Sequence, residues 1–309
     1  MNTVIKQKPN CRFCRADKEY QSIKGDFVHG GTEEQKFFKC AQCGIIYLYP
    51  PLSPEEEARF YREEFDKYME KRSAGGMDWS GPEKHAKASH KEMVRRFKYL
   101  KPYLKPGKRV LEAGCSSGFM LTAFKGAGLK VTGLDPSSGF LSYVRSQGIE
   151  AYEHLDQLKK EVNEPFDLIC FFFVLSHTGD PVTFLNEYLS LLKPGGAMIF
   201  EDTCASDPLV EFYKVPAFDR FYWSIQHHWH FNRESLTMVL EKTGQPFRIM
   251  PEQRYDLSNH MTWMIDGKPG GLGRFSHIFG QELDELYKEQ LKKHWLCDTI
   301  VAFIEKEKS

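Results

Sequence analysis

Residues 109–118, Arg-Val-Leu-Glu-Ala-Gly-Cys-Ser-Ser-Gly, constrain the fold more than any other stretch of the chain. The apolar pair Val110 and Leu111 enters a turn that holds Gly114 and Gly118, and an amphipathic helix is predicted over 119–125. A second short strand, 130–134, ends on Asp135. A strand, a glycine-bearing turn, a helix, and a strand ending in an acid about 20 residues later form the unit that grips an adenosine-containing cofactor. Gly114 and Gly118 let the backbone approach the ligand closely, and Asp135 is placed to accept hydrogen bonds from both ribose hydroxyls. One glycine alone would carry little. The whole unit in register carries much more.

The turn also separates one cofactor from another. A dinucleotide site seats a pyrophosphate on the helix N-terminus, and Glu112 beside the turn would repel it. The same carboxylate attracts an ammonium. The turn Glu112-Ala113-Gly114-Cys115-Ser116-Ser117-Gly118 resembles motif I of the class I S-adenosylmethionine-dependent methyltransferases, an acid-x-Gly-x-Gly-x-Gly pattern with Ser116 at the middle glycine. Residues 166–177, ending Val174-Leu175-Ser176-His177, are similar to that family's fourth strand and loop, with Ser176 where Glu is common. Residues 191–200, Leu-Leu-Lys-Pro-Gly-Gly-Ala-Met-Ile-Phe, are similar to its fifth strand and the preceding loop. The resemblance runs from about 105 to 245 and implies a Rossmann-like α/β fold, a seven-stranded doubly wound sheet with an antiparallel last strand. It also implies S-adenosyl-L-methionine as cofactor, held at Glu112, Gly114, Cys115, Gly118, Asp135, Pro136 and Phe172.

Cysteine usage points to a second element. Cys11-x2-Cys14 and Cys40-x2-Cys43 are paired knuckles with basic neighbours Arg12, Arg15 and Lys39, and Gly44 closes the second turn. Four thiolates in two such pairs suit tetrahedral structural Zn2+, giving an N-terminal zinc ribbon over 1–50 with a hairpin near Gly30-Gly31. Four free thiols or two disulfides are the alternatives; the polar N-terminus, with no apolar signal segment, favours the metal and a cytoplasmic protein. Cys115, Cys170, Cys204 and Cys297 are scattered and read as small buried hydrophobes. The formal net charge is zero and no basic run occurs, which argues against affinity drawn from nucleic-acid phosphates or anionic membranes. The most apolar stretch, 168–175, is far too short to span a bilayer and reads as a strand buried on both faces.

Between these parts, 51–105 forms a helical linker and cap. Ser53-Pro54-Glu55-Glu56-Glu57 starts a helix reaching about 70, residues 73–81 are a flexible connection, and 84–104 is helical. The remaining 106–309 is the cofactor domain, with insertions at 202–232 and 255–295. The second insertion carries the glycine-rich 268–273, either a mobile loop at the rim of the site or, more simply, a pure connection, and a helix over 282–293. There are no internal repeats or low-complexity tracts.

Ligands of α/β sheets bind beyond the carboxyl ends of the strands, so the 202–232 insertion is expected to roof an acceptor pocket. It holds Tyr213, Tyr222, Trp223, Gln226, His227, His228, Trp229 and His230. Val215-Pro216 followed by Gln226-His227-His228-Trp229-His230-Phe231-Asn232 is similar to a segment of zinc-ribbon methyltransferases that act on nucleotide sugars, with His227 on that motif's second His. Those sugar C-methyltransferases carry a further C-terminal α/β domain that 309 residues do not accommodate, which favours an oxygen or nitrogen acceptor. A neutral imidazole takes a proton at neutral pH. His227 is the first candidate base, with His228 and His177 behind it and Tyr222 beside them. A second metal site at His227, His228 and His230 lacks a nearby carboxylate or Cys. The expected activity is methyl transfer to a small molecule, a sugar or a carrier-linked biosynthetic intermediate. An rRNA base methyltransferase is the alternative, disfavoured by the charge balance. A non-catalytic cofactor-binding module is a third reading, opposed by the intact Glu112, Gly114, Gly118 and Asp135.

Overall fold

The computed structural model describes residues 8–72 and 80–308. Its N-terminal strands are β1 (Gln21–Gly25), β2 (Lys36–Cys40) and β3 (Ile46–Tyr49). Five strands follow in strand–helix alternation: β4 (Arg109–Ala113), β5 (Lys130–Leu134), β6 (Glu150–Tyr152), β7 (Phe166–Phe172) and β8 (Leu192–Thr203). A two-residue strand, β9 (Trp229–His230), precedes β10 (Phe247–Glu252) and β11 (Thr299–Glu305).

Seven strands form one sheet in the order β10-β11-β8-β7-β4-β5-β6. The ladders from β8 through β6 are parallel, and β11 runs antiparallel to both β8 and β10. This is the expected doubly wound, Rossmann-like α/β architecture with its inverted last strand. Side chains alternate across each strand, so both faces must be covered. On β7, Leu168 and Cys170 pack with Leu100, Met120 and Phe124 from the His90–Leu100 and Phe119–Gly126 helices. Ile169 and Phe171 face the other way, onto Leu185, Leu189, Leu236 and Val239 of the Pro181–Ser190 and Arg233–Glu241 helices.

Helix boundaries follow local chemistry. Ser53 accepts from the Glu56 N–H while Glu56 reaches back to Ser53 N, with Pro54 at the first helical position, so the Pro54–Arg59 helix starts where predicted. Asn232 and Ser235 make the corresponding reciprocal pair at the Arg233–Glu241 helix. The predicted 84–104 helix is instead two, Pro82–Ala88 and His90–Leu100, broken at Ser89, whose hydroxyl bonds back to the His85 carbonyl. Residues 73–79 of the expected flexible connection lie outside the described residues.

The ribbon's sheet takes in a strand from outside 1–50: β9 of the 202–232 insertion joins it in the order β1-β2-β3-β9. Ile46 pairs with His230 and Tyr47 with Trp229, and Phe37, Ile46 and Leu48 share a core with Phe218, Trp223 and Ile225. Of the two readings of the glycine-rich 268–273, the hydrogen bonds favour the connection. Asp256 caps a Leu257–Asp266 helix that the sequence reading passed over; its second oxygen accepts from Gly273 N, and Asn259 donates to the Gly270 carbonyl.

Candidate functional site

The cofactor turn is built by backbone geometry. Gly114 and Gly118 both adopt positive φ, +70° and +67°. A Cβ on Gly114 would sit 2.5 Å from Val174, and one on Gly118 would sit 2.9 Å from Val144, so only glycine fits either position. Ser116, at the family's middle glycine, also has positive φ (42°), and its N–H donates to Asp135 Oδ2 at 2.7 Å. Asp135 Oδ1 accepts from Ser137 N at 2.9 Å. The acid thus fixes the turn through both carboxylate oxygens.

Glu112 is buried at the carboxyl end of β4, and its Oε2 has no hydrogen-bond partner. Burial, with the Asp135 charge adding to it, pushes its carboxyl up to about 8, against the opposing pull of Arg96. A buried, unsatisfied carboxylate beside two open-backbone glycines fits a ligand that brings an ammonium and a ribose, as S-adenosylmethionine does. Phe172 ends β7 beneath the Arg96 guanidinium, 4.1 Å from its ring centroid. Arg96 and Arg95 are themselves held by buried Glu201 at 2.6 and 2.9 Å, with Tyr99 donating to the same carboxylate.

Cys115 is the small buried hydrophobe its sequence setting suggested. Its side chain packs among Leu121, Leu141, Val144 and Ala151, its N–H donates to Leu134 O and its carbonyl accepts from Gly118 N, so it is scaffold to the turn. Pro136 is exposed beside Asp135. One contact escaped the sequence reading. His85, on the Pro82–Ala88 helix, brings its Nδ1 within 2.8 Å of Ser117 Oγ and packs edge-on to Phe140. That helix therefore closes directly over the turn, and its only sequence signal was ordinary amphipathic spacing.

The four cysteines converge. Their sulfurs lie within 4.8 Å of one another, with Cys11–Cys43 and Cys14–Cys40 each 3.7 Å apart. Tetrahedral Zn–S bonds of about 2.3 Å imply S···S edges of about 3.8 Å. Among the described residues this is the one group of three or more ligands arranged to hold a metal; His227, His228 and His230 do not form one. Arg12, between the first two cysteines, donates to Leu48 O and Gly179 O and lies 4.4 Å from the Trp229 ring.

At the carboxyl ends of β7 and β8 a row of rings assembles. His177 lies 5.0 Å from His227, His227 lies 4.8 Å from His230, and Tyr222 stacks on His230 at 4.6 Å. A Cβ on Gly114 would meet Val174, whose carbonyl accepts from His177 N, so the loop that carries His177 packs against the cofactor turn. Asp202, at the end of β8, fixes the same loop by accepting from Ser176 N; burial raises its carboxyl to about 6. Burial lowers His177 and His230 to about 3 and His227 well below its usual range, so all three are neutral at pH 7. The atoms His177 Nε2, Tyr222 Oη, Gln226 Oε1, His227 Nδ1 and both nitrogens of His230 are buried without partners. His228 stands apart: its backbone bonds Ser176 and Leu48, and its Nε2 points to Glu57 at 3.6 Å.

The family model described as a methyltransferase domain matches residues 85–245, the span from His85 through the ring row to Gly244 and Gln245. The ubiquinone biosynthesis O-methyltransferase of Maricaulis maris is 29% identical over 168 residues, 48% of this chain and 61% of that protein. Its counterpart in Xylella fastidiosa strain M23 is 31% identical over 156 residues, 48% and 62% of the two chains. The chain thus spans less than two thirds of the length of these relatives. Among solved structures, the plantazolicin methyltransferase BamL, in complex with a desmethylPZN analog and SAH, aligns with a TM-score of 0.50 at 16% identity. That alignment covers 82% of this chain and 95% of the other, a likeness of fold. No helix among the described residues is long and apolar enough to cross a membrane.

Proposed function

This chain belongs to the methyltransferase-domain family, and we propose that it is an S-adenosylmethionine-dependent methyltransferase that methylates an oxygen of a small biosynthetic molecule. The observation that carries the proposal is the row of neutral, unpaired imidazoles running from the loop against the cofactor turn. The O-methyltransferase relatives support oxygen over nitrogen.

When bound, S-adenosylmethionine supplies an electrophilic methyl group on its sulfonium. Glu112 would hold the ammonium and Asp135 the ribose, while the Pro82–Ala88 helix keeps water from the turn. The acceptor hydroxyl lies under the 202–232 roof and loses its proton to His227. Gln226 Nε2 is 3.3 Å from His227 Nε2. Turning that amide over directs its Oε1 at the imidazole Nε2–H and leaves the Nδ1 lone pair as proton acceptor. A base of lowered pKa is weak but wholly in its accepting form at neutral pH. His177, next in the row, is the second candidate, and Tyr222 orients the rings. In the same reading the four cysteines hold one structural zinc ion, which fastens the ribbon to the roof.

The test is transfer of a labelled methyl group to a panel of phenols, hydroxy acids and amines. His227→Gln should lower turnover by about 10²–10⁴ while S-adenosylhomocysteine still binds. Wild-type turnover in that variant would move the base elsewhere in the row, and transfer confined to amines would reject the oxygen assignment.

A further inference from the structure

We infer that the acceptor carries an anionic oxygen group, a carboxylate or a phosphate, and that Arg72 with the neighbouring imidazoles is its receptor. The inference rests on the methyl-transfer reading and names the class of acceptor for that site.

Arg72 ends the Phe65–Arg72 helix and lies against the Pro216–Tyr222 helix. Its Nη2 donates to the Phe221 carbonyl at 2.7 Å, and its guanidinium carbon is 4.4 Å from the Phe221 ring centroid. Tyr222, the next residue, begins the ring row through His230, His227 and His177. The Arg72 Nε is buried without a hydrogen-bond partner. No carboxylate among the described residues pairs with this guanidinium; the groups that favour its charge are the hydroxyls of Tyr68, Tyr255 and Tyr222.

Arginine keeps its proton in proteins, so the charge cannot be shed. One carbonyl and one aromatic face offset it only in part, and a buried charge without a counter-charge is costly. Three other cations of the fold have carboxylate partners: Arg95 and Arg96 both meet Glu201, and Arg254 meets Glu92. Arg72 alone of these four faces neutral groups. Unsatisfied nitrogens of His177, His227 and His230 lie along the ring row that Tyr222 begins, and each imidazole is held neutral by burial and further disfavoured as a cation by Arg72. A neutral imidazole offers one N–H donor; His227 keeps its Nδ1 lone pair for the acceptor's proton, so the imidazole donors toward an anion are those of His177 and His230. A guanidinium beside two imidazole N–H groups matches a planar or tetrahedral oxyanion, whereas an ammonium-bearing acceptor would be repelled.

The test uses the full-length, metal-loaded protein with S-adenosylhomocysteine present, followed by NMR of the imidazole carbon-bound protons. The probes are inorganic phosphate, benzoate and, as a neutral isostere of the latter, benzamide. One of the two anions should shift the His177, His227 and His230 signals saturably, and which one does so separates phosphate from carboxylate; benzamide should not. Arg72→Gln should weaken that binding roughly tenfold to a hundredfold, and Arg72→Lys should recover part of it. Absence of saturable shifts in the wild type with both anions, or equal binding by Arg72→Gln, overturns the inference. Calorimetry of S-adenosylhomocysteine is read on the same samples. Lost anion binding with that affinity intact removes this inference alone, whereas failure of the wild type to bind S-adenosylhomocysteine removes the methyl-transfer reading beneath it.

Discussion

Stripping the metal from the four cysteines should loosen the imidazole roof, more than 180 residues away in sequence. The route is β3. Its Leu48 N–H donates to the His228 carbonyl at 3.0 Å, and Ile46 and Tyr47 pair with His230 and Trp229. Arg12, between Cys11 and Cys14, adds its Leu48 bond and its stacking on Trp229. A structural zinc contributes on the order of 10 kcal/mol, comparable to the whole stability of a domain, so the knuckles should not stay folded without it. The roof then loses two or three backbone hydrogen bonds at about 1 kcal/mol each and a cation–π contact worth about 1 kcal/mol. Together these make roughly 3–4 kcal/mol, or about 10²–10³ in exchange protection. The roof keeps its bonds to Ser176 and Thr178, so it opens locally and does not detach. Hydrogen exchange read by mass spectrometry, with and without chelator, should show deprotection of both 36–49 and 224–231, with 138–146 unchanged. Protection retained over 224–231 while 36–49 exchanges freely would refute the coupling.

Two further perturbations test the buried charges. For His230, the folded pKa lies near 3 against an ordinary value of 6.5, so the unfolded chain binds more protons between these limits. Its contribution to stability is present above pH 6.5 and is lost as pH falls toward 3; His230→Gln should reduce the pH slope of urea stability in that window by up to about 1.4 kcal/mol per pH unit. An unchanged slope would mean that the ring is solvated. Glu112 is opposite in sign: with its folded carboxyl raised to about 8, stability falls as pH rises from the ordinary carboxylate range to 8. Glu112→Gln should therefore raise the melting temperature of the cofactor-free protein at pH 8 while weakening S-adenosylhomocysteine. A variant that melts lower at that pH would show that the carboxylate is already compensated.

What the sequence made legible was local. The glycines at 114 and 118, the acid at 135 and the Cys-x2-Cys pairs each owe their meaning to a few neighbours, and the structure puts them to the expected geometry. The His cluster was visible as a composition, though not which rings would meet: Ser176 anchors the His228 backbone and its side chain turns to Glu57, leaving His227 and His230 in the row. The missing pieces were tertiary. β9 is two residues long and pairs with a strand some 180 positions earlier, which no hydrophobic period signals. His85 and Arg72 lie on helices whose patterns look like plain packing, and their significance comes only from the turn and the rings against which they dock. The 268–273 glycines allowed a mobile loop or a connection; Asp256 and Asn259 make them a tied connection.

The central claim is that the turn between β4 and the Phe119–Gly126 helix, closed by Asp135, binds S-adenosylmethionine. Isothermal calorimetry of S-adenosylhomocysteine with the wild type and Asp135→Asn tests it most directly. Asparagine keeps an acceptor for one of the two backbone N–H groups but removes the charge proposed to hold the ribose. The account predicts one site per chain and, at about 1.5–3 kcal/mol for a hydrogen bond to a charged group, an affinity loss of roughly tenfold to a hundredfold in the variant. No binding by the wild type, or equal affinity in the folded variant, would contradict it.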